Sequence, residues 1–415
     1  MLEVPMMAAD IFPPLKPLHI FESWHPVVSG YTSRSRALIA AQIHSGDFEP
    51  RVLVTSRQGS YGKTSIDPPD GLGDRIRCVC PSSKEIRWRR FRRFYVDSRH
   101  LELAIEKMVI DHGADLIHSH WSAGIGRAAA NLASRLGLPL VAEVRFDLAG
   151  AFMSETVRFP LPGLERALRR HFERHLTQAQ AVIAASDSLA RFLRAEFPWL
   201  GDRLFVVPNG VDLERFRAGP PDPELRARLG LEGSCVIGTT SNMLRYEGLD
   251  LLIQGLVEAQ RQVPNIQALF VGAGTQAEHL QKLAHQAGVR ATFTGLVPAA
   301  QVPQYLRLID LFVIPRRDAT ITRQASPIKL VEAMACGLAV VGSRLGDIEI
   351  LLADGRGALV EPESVPALTK ALVNLCQQGE TRREMGRRAQ RYAMSEFNWE
   401  TAAKTHRRIY ERALS

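Results

Sequence analysis

The sequence is poor in cysteine, in long apolar runs and, over one stretch, in acid. Five cysteines in 415 residues, an odd number without the spacing of a ligand set, exclude a disulfide-stapled scaffold. They point instead to a reducing compartment. Cys78 and Cys80 form a CxC, but no second Cys/His pair follows at zinc-site spacing, so no metal site is expected. No uninterrupted apolar stretch approaches the roughly 20 residues that span a bilayer. The opening "MLEVPMMAADIFPPLKPLHIF" carries acids and prolines where a leader needs a basic start and an apolar run. A soluble, cytoplasmic protein is the expectation. Neither a G-x-S-x-G nor a paired-carboxylate motif is present, which speaks against the common hydrolases.

What is there begins with length and charge. The chain is long enough for two or three domains, and 46% apolar composition allows a full core in each. A net charge of +8 implies an anionic partner without naming it. A nucleotide sugar, an anionic membrane and a nucleic acid all qualify.

Short apolar runs alternate with helical patterns, the rhythm of a parallel α/β sheet. "LHIF", "RVLVTS", "LIHSH", "LVAEV" and "AVIAAS" read as strands of a first unit. "SRSRALIAAQIHSG", "HLELAIEKMVIDHG" and "GRAAANLASRLG" read as its crossover helices. "RLFVVPNGVDLERF" interrupts the rhythm with a Pro-Asn-Gly turn, a domain boundary. Six further strands and their helices follow, then a final amphipathic helix, "NWETAAKTHRRIYERALS". Two α/β domains with a ligand cleft between them are expected.

One lysine stands out. In "QASPIKLVEAMACG" (324–337), Ser326 reads as an N-cap and Pro327 as the first helical residue. Lys329 then falls in the first turn, where the helix dipole disfavours a cation. Either it pairs with Glu332 one turn on, or an anion such as a diphosphate docks there.

"SPIKLVEAMACGLAVVGS" resembles the nucleotide-binding signature of family-4 retaining glycosyltransferases. "VVPNGVDLERF", "FVGAGTQAEHLQKLA" and "FTGLVPAAQVPQYLRLIDLFVIP" extend the likeness over nearly the whole chain. "HIFESWHPVVSGYTSRSRALIAAQ", "YEGLDLLI" and "PRRDATITRQASPIKL" are more similar to the subgroup that accompanies exosortase-type exopolysaccharide gene clusters. The resemblance implies an α/β GT-B fold, two Rossmann-like parallel-sheet domains facing each other across a cleft. Residues 1–207 would be the acceptor-side domain and 208–395 the donor-binding domain. Residues 396–415 would form a helix packing back towards the first.

The same resemblance implies residue roles. Glu332 would hydrogen-bond the donor ribose. Gln324 takes the place of the family's first glutamate near the transferred sugar, where an amide can bind hydroxyls but cannot act by charge. His120 would lie beside the transferred sugar, and Arg145 at the matching edge of the next strand. His118 is read as buried structure on the other side of its strand. Gly30 would let the backbone approach the sugar phosphate, with Tyr31 and Thr32 lining the cleft; Ser326 and Pro327 complete the donor site. Where relatives have "GRLxxEKG" this chain has "SNMLRYEG" (241–248), so Asn242 and Glu247 replace the phosphate-binding arginine and lysine. Arg245 and Lys329 are then expected to carry the phosphate charge, with Glu247 turned away or anchoring Arg245. The reaction implied is transfer of a hexose-like sugar from a nucleoside-diphosphate sugar to a carbohydrate or lipid-linked acceptor, with no metal and no cofactor.

Two other classes compete. Gly272-x-Gly274-x-x-Ala277 after a strand fits a dinucleotide fingerprint, but residues 279–309 contain no Asp or Glu to grip a ribose. The basic-aromatic run "KEIRWRRFRRF" (84–94) carries six cations against one acid, with Trp88, Phe91 and Tyr95 on one helical face. It matches no nucleic-acid-binding pattern. It reads either as an interfacial helix drawn to anionic lipid or as an ordinary helix with a buried aromatic stripe.

Overall fold

The computed structural model describes residues 13–27, 30–55, 66, 72–79, 98–120, 123–145 and 164–415. Seven strands make the first sheet: β1 (Pro17–Phe21), β2 (Arg51–Val54), β3 (Ile76–Cys78), β4 (Leu116–His120), β5 (Leu140–Val144), β6 (Ala181–Ala184) and β7 (Leu204–Val206). Their order is β3-β2-β1-β4-β5-β6-β7. The second sheet has six: β8 (Cys235–Ser241), β9 (Ile266–Gly272), β10 (Ala291–Phe293), β11 (Leu311–Ile314), β12 (Ala339–Ser343) and β13 (Ala358–Val360). Their order is β10-β9-β8-β11-β12-β13. Neighbouring strands run parallel throughout, as in Leu18↔Arg51, Ile117↔Leu140 and Leu311↔Ile237. Strand order reverses between β1 and β4 and again between β8 and β11. At such points the loops leaving the strands diverge and open a crevice.

Parallel strands need crossover helices, so both sheet faces are covered and β1, β4 and β5 are buried along their whole length. On one face Leu18, Ile20, Ile117 and Ala142 pack on Leu101 and Ile105 of the Ser98–His112 helix and Ile125 and Leu132 of the Ala123–Leu136 helix. On the other face Val141 and Ile183 pack on Ala403, Ile409 and Tyr410 of the Trp399–Leu414 helix. That helix comes from the far end of the sequence and closes the first domain. Gln42 of the Gly30–Ser45 helix donates from Nε2 to Tyr410 Oη at 3.3 Å.

Several elements depart from expectation. β3 and β7 are strands that the apolar pattern did not separate from their surroundings. The Leu164–Gln178 helix supplies the crossover between β5 and β6, yet buries only Phe172, His175 and Leu176 among its described side chains. Leu164, Leu168, Phe172 and Leu176 recur every four residues, a helical signal present in the sequence but not among the crossover helices expected there. His118 does not alternate away from His120. Side chains two apart on a strand share a face, and the two imidazoles stack with centroids 4.2 Å apart. Ser119 points the other way and meets His175 at 3.0 Å.

The two domains touch beside the candidate site. Ser186 Oγ donates to the Gln324 carbonyl at 3.0 Å, and the Ser188 N–H donates to Asp347 Oδ1 at 2.9 Å. A cleft of about 310 Å³ lies there, lined by Ser188, Phe192, Thr320, Arg323 and Gln324.

Candidate active site

The first domain contributes a polar cluster at the carboxyl ends of β4 and β5. Glu143, inside an otherwise apolar strand, is fully buried. Its Oε1 accepts from Arg34 Nε at 3.1 Å and from Arg145 Nε at 2.8 Å. Burial alone would raise its pKa; Arg34, His120 and Arg145 outweigh that and hold it well below the usual carboxylate range. The resemblance put His120 beside the sugar, but its ring is fully buried and both nitrogens are engaged. Nδ1 lies 3.0 Å from Arg145 Nη2 and Nε2 lies 3.0 Å from His19 Nδ1. Burial lowers the His120 pKa to about 4, so the ring is neutral at physiological pH.

The tautomers follow from the donors. Arginine only donates, so with Arg145 as the partner of His120 Nδ1 that nitrogen accepts and Nε2–H donates to His19; Glu143 Oε1, 3.3 Å from the same Nδ1, is the competing partner. His19 Nε2–H donates on to Gln42 Oε1 at 2.9 Å. Gln42 donates to Tyr410 Oη, leaving that hydroxyl to donate to His118 Nδ1 at 2.6 Å. His118 Nε2–H then faces Glu143 Oε2 at 3.6 Å.

Arg145 is expected at the donor, but its capacity is spent. Nε serves Glu143, Nη1 serves the Tyr31 carbonyl (3.1 Å) and Ser35 Oγ (3.2 Å), and Nη2 serves Ser35 Oγ (3.2 Å) and His120. All five N–H groups are used. Its guanidinium also lies 4.2 Å from the Tyr31 ring centroid. Arg145 therefore orders the first domain and has no donor left for a ligand. Tyr31 is half-buried, its hydroxyl accepting from the Glu22 N–H at 3.0 Å. Thr32 is buried and donates to the Val27 carbonyl at 2.6 Å. Gly30 opens its helix, and the residues just before it lie outside the described set.

His118, His406 and Glu143 also bring Nε2, Nε2 and Oε2 together, with His406 3.9 Å from the carboxylate. A divalent cation there would join two arginines already on the same buried carboxylate. That charge balance does not suit a metal.

The second domain contributes the β8/β11 switch point. The loop after β8 carries Asn242, Arg245 and Glu247; β11 runs into Pro315 and Arg316. Gly248 allows the two loops to meet. It has φ 68°, and a Cβ there would lie 2.0 Å from the Pro315 carbonyl oxygen. Glu247 is buried, and its Oε1 sits 3.5 Å from Arg316 Nη2 and 3.7 Å from Lys329 Nζ. Burial would raise the carboxyl pKa, but the two cations leave it lowered. Lys329 is lowered by burial, with Glu247 opposing. Glu247 thus neither turns away nor anchors Arg245. Arg245 is exposed and makes no hydrogen bond or ion pair among the described residues. The second cation beside Lys329 is Arg316, whose Nη1 also donates to the Ala325 carbonyl at 3.3 Å. No role was read for Arg316 in "PRRDATITRQASPIKL"; its double-arginine end of a buried strand was the available signal.

Lys329 lies on the Ile328–Ala335 helix. Pro327 is its N-cap, with ψ 92°, and no side chain caps it. Ser326 is therefore not the cap, and Pro327 is not the first helical residue. Nor does Lys329 pair with Glu332. The Glu332 carboxylate makes no hydrogen bond or ion pair among the described residues, and burial raises its pKa to about 7. Gln324 is buried at the domain contact, while Asn242 is exposed. Gly274 has a structural explanation: a Cβ there would fall 1.6 Å from the Asn242 carbonyl oxygen. The glycine lets the β8 and β9 loops pack backbone to backbone, which removes the case for a dinucleotide fingerprint. The run 84–94, with Trp88, Phe91 and all its arginines, lies outside the described residues, as does Tyr95.

Residues 37–215 match the family model described as Glycosyltransferase Family 4, and residues 234–378 the one described as Glycosyl transferases group 1. The two matches follow one another along the chain, one on each parallel-sheet domain, and the fold is GT-B. Among curated proteins it is 33% identical over 204 residues to a GDP-mannose-dependent alpha-(1-6)-phosphatidylinositol monomannoside mannosyltransferase of Mycolicibacterium smegmatis. That match covers 47% of this chain and 53% of the relative, so the chain spans about half the length of that protein. It is 29% identical over 314 residues to a D-inositol 3-phosphate glycosyltransferase of Segniliparus rotundus, covering 72% of this chain and 66% of that one. In fold it is similar to Anabaena HepE in complex with UDP, with a TM-score of 0.72 and 19% identity over 96% of this chain and 100% of that chain.

Proposed function

We propose that the protein is a retaining glycosyltransferase that moves a hexose-like sugar from a nucleoside-diphosphate sugar to a carbohydrate or lipid-linked acceptor. The carrying observation is the convergence of Lys329 and Arg316 on one carboxylate oxygen at the β8/β11 switch point, with the partnerless Glu332 carboxylate on the helix of Lys329. The two cations suit a diphosphate, and an acceptor-only carboxylate suits ribose hydroxyls. Gln324 lines the interdomain cleft, which supports a contact with hydroxyls of the transferred sugar.

The chemistry follows from these side chains. No carboxylate is assigned as nucleophile, so the acceptor enters on the face from which the phosphate departs. Negative charge grows on the leaving diphosphate, and preorganised cations there lower the barrier most. Lys329 and Arg316 meet that charge directly, which removes the need for a metal. His120, neutral and internally bonded, shapes the first-domain wall without exchanging protons. Arg245, exposed on the same loop, is an outer cation that draws the donor in. A role in exopolysaccharide synthesis, and peripheral attachment of the basic run to the inner face of the plasma membrane, belong to the same proposal. No helix among the described residues is long and apolar enough to cross a membrane.

Screening UDP-, GDP- and ADP-sugars for donor hydrolysis and transfer tests the reading. Turnover of one of them, with retention at the anomeric carbon, supports it. Failure to bind any nucleoside diphosphate overturns it.

A further inference from the structure

Cys235 and Cys376 lie on the opposite edge of the second sheet from the switch-point loops. Cys235 opens β8, Cys376 lies near the end of the Val365–Gln377 helix, and their sulfurs are 3.1 Å apart although 141 residues separate them in sequence. Both are free thiols. The approach is built by a charged clamp. Arg226 Nη2 donates to the Ser234 carbonyl at 2.8 Å, just before Cys235, and Asp310 Oδ2 accepts from the Val236 N–H at 2.9 Å, just after it. Arg382 Nη1 donates to the carbonyls of Leu375 at 2.8 Å and Cys376 at 3.3 Å. Asp310 joins the two halves, 3.7 Å from Arg226 and 3.8 Å from Arg382. The backbone is therefore held on both sides of Cys235 and at the two carbonyls of Leu375 and Cys376.

We infer that Cys235 and Cys376 form an oxidation site: a thiol pair that hydrogen peroxide, or another peroxide, closes to a disulfide within the folded protein. The two thiols differ in a way that orders the steps. The hydrogen bond from Cys376, with Arg382 and Arg226 close by, pulls the Cys235 thiol below its usual pKa against the effect of burial. The same bond, with burial, pushes the Cys376 thiol up. Cys235 is the attacking thiolate. It takes one oxygen of the peroxide, becoming a sulfenic acid, and the other oxygen leaves as water. Cys376 sulfur then displaces the sulfenic hydroxyl, which leaves with the Cys376 proton as a second water. Two thiols and one hydrogen peroxide give one disulfide and two waters. Cys336 is the contrast: it has no thiol partner among the described residues, and burial pushes its pKa up to about 12.

The test treats the purified full chain with stepped hydrogen peroxide, alkylates what remains and maps unreduced tryptic peptides. Titratable thiols should fall from five to three, with a linked 235–376 peptide pair two hydrogens lighter than its parts, reversed by dithiothreitol. The oxidised protein should melt several degrees higher, because the bond closes a long loop of the unfolded chain. In Cys376→Ser, dimedone should label Cys235 after peroxide; in Cys235→Ser it should leave Cys376 unlabelled. Alkylation of both cysteines after treatment, or linkage of either to Cys78, Cys80 or Cys336, overturns the pairing. A linked protein that melts no higher than the reduced one overturns the fit to the folded state.

Discussion

Glu143 and Glu247 are buried carboxylates set among cations at corresponding edges of the two sheets, yet they do different work. Around Glu143 one oxygen is taken by Arg34 and Arg145, while Oε2 makes no hydrogen bond and faces Nε2 of His118 and of His406 at 3.6 and 3.9 Å. Around Glu247 the capacity is unfinished. Two cations share one oxygen at 3.5 and 3.7 Å, beyond good hydrogen-bond distance, and Glu332 nearby has no partner. What separates the two is access: Glu143 and His118 are wholly buried, whereas the Lys329 side chain is 23% exposed and open to a ligand.

The largest expected effect breaks the sealed side. Glu143→Ala should cost about 3–5 kcal/mol of stability, the range for leaving one partner of a buried pair uncompensated. Denaturant unfolding of the purified variant reads this out, and a variant as stable as the parent would deny the cluster its role. The acid limb adds a pH test. The folded Glu143 pKa is depressed, so its contribution is present above the ordinary carboxylate pKa and is lost as pH falls through the lower folded value. The acid-induced loss of stability should be smaller in Glu143→Ala.

On the accessible side, Lys329→Ala and Arg316→Gln should each lose about 2–4 kcal/mol in kcat/KM, the scale of a preorganised group facing transition-state charge. The double variant should lose less than the sum if both grip one phosphate. Strict additivity in a double-mutant cycle would separate them.

Glu332→Ala should weaken nucleoside diphosphate binding by about 1.5–3 kcal/mol, as for hydrogen bonds to a charged group. Its carboxyl titrates near 7, so it is protonated below that pH and charged above it. Binding that uses the charged form should strengthen as pH rises from 6 to 8, and Glu332→Gln should flatten the rise. A titration series across that range decides it.

Arg245→Ala should change least, by about 1 kcal/mol or less, as for an exposed charge, and the loss should shrink with added salt. A loss as large as that of Arg316→Gln would return Arg245 to the centre of the phosphate site.

The contrast also explains what could be read in the sequence. Buried parallel strands are runs of aliphatic residues, and β4 and β5 were legible to the residue in "LIHSH" and "LVAEV". Lys329 was legible as an anomaly because helix electrostatics oppose it locally. Glu143 was an equal anomaly, an acid inside a buried strand, but its arginines lie 109 residues before it and two after it, and no spacing rule connects all three. Pairing at distance also hid Arg316, which meets Glu247 across the join of β8 and β11. Arg145 differs: strand-edge position located it, while its four acceptors, visible only in three dimensions, decide what it can bind.

Tyr410 and His406 carry a consequence for how the molecule is made. The ribosome delivers residues 17–206, all seven strands of the first sheet, long before the helix that closes one face of it. At about 5–20 residues per second, some 200 residues take roughly 10–40 s. Through that interval Gln42 and His118 are without Tyr410, and the face carrying Val141 and Ile183 is without Ile409 and Ala403. The first domain to be synthesised is therefore the last to be finished, and its completion waits on the second.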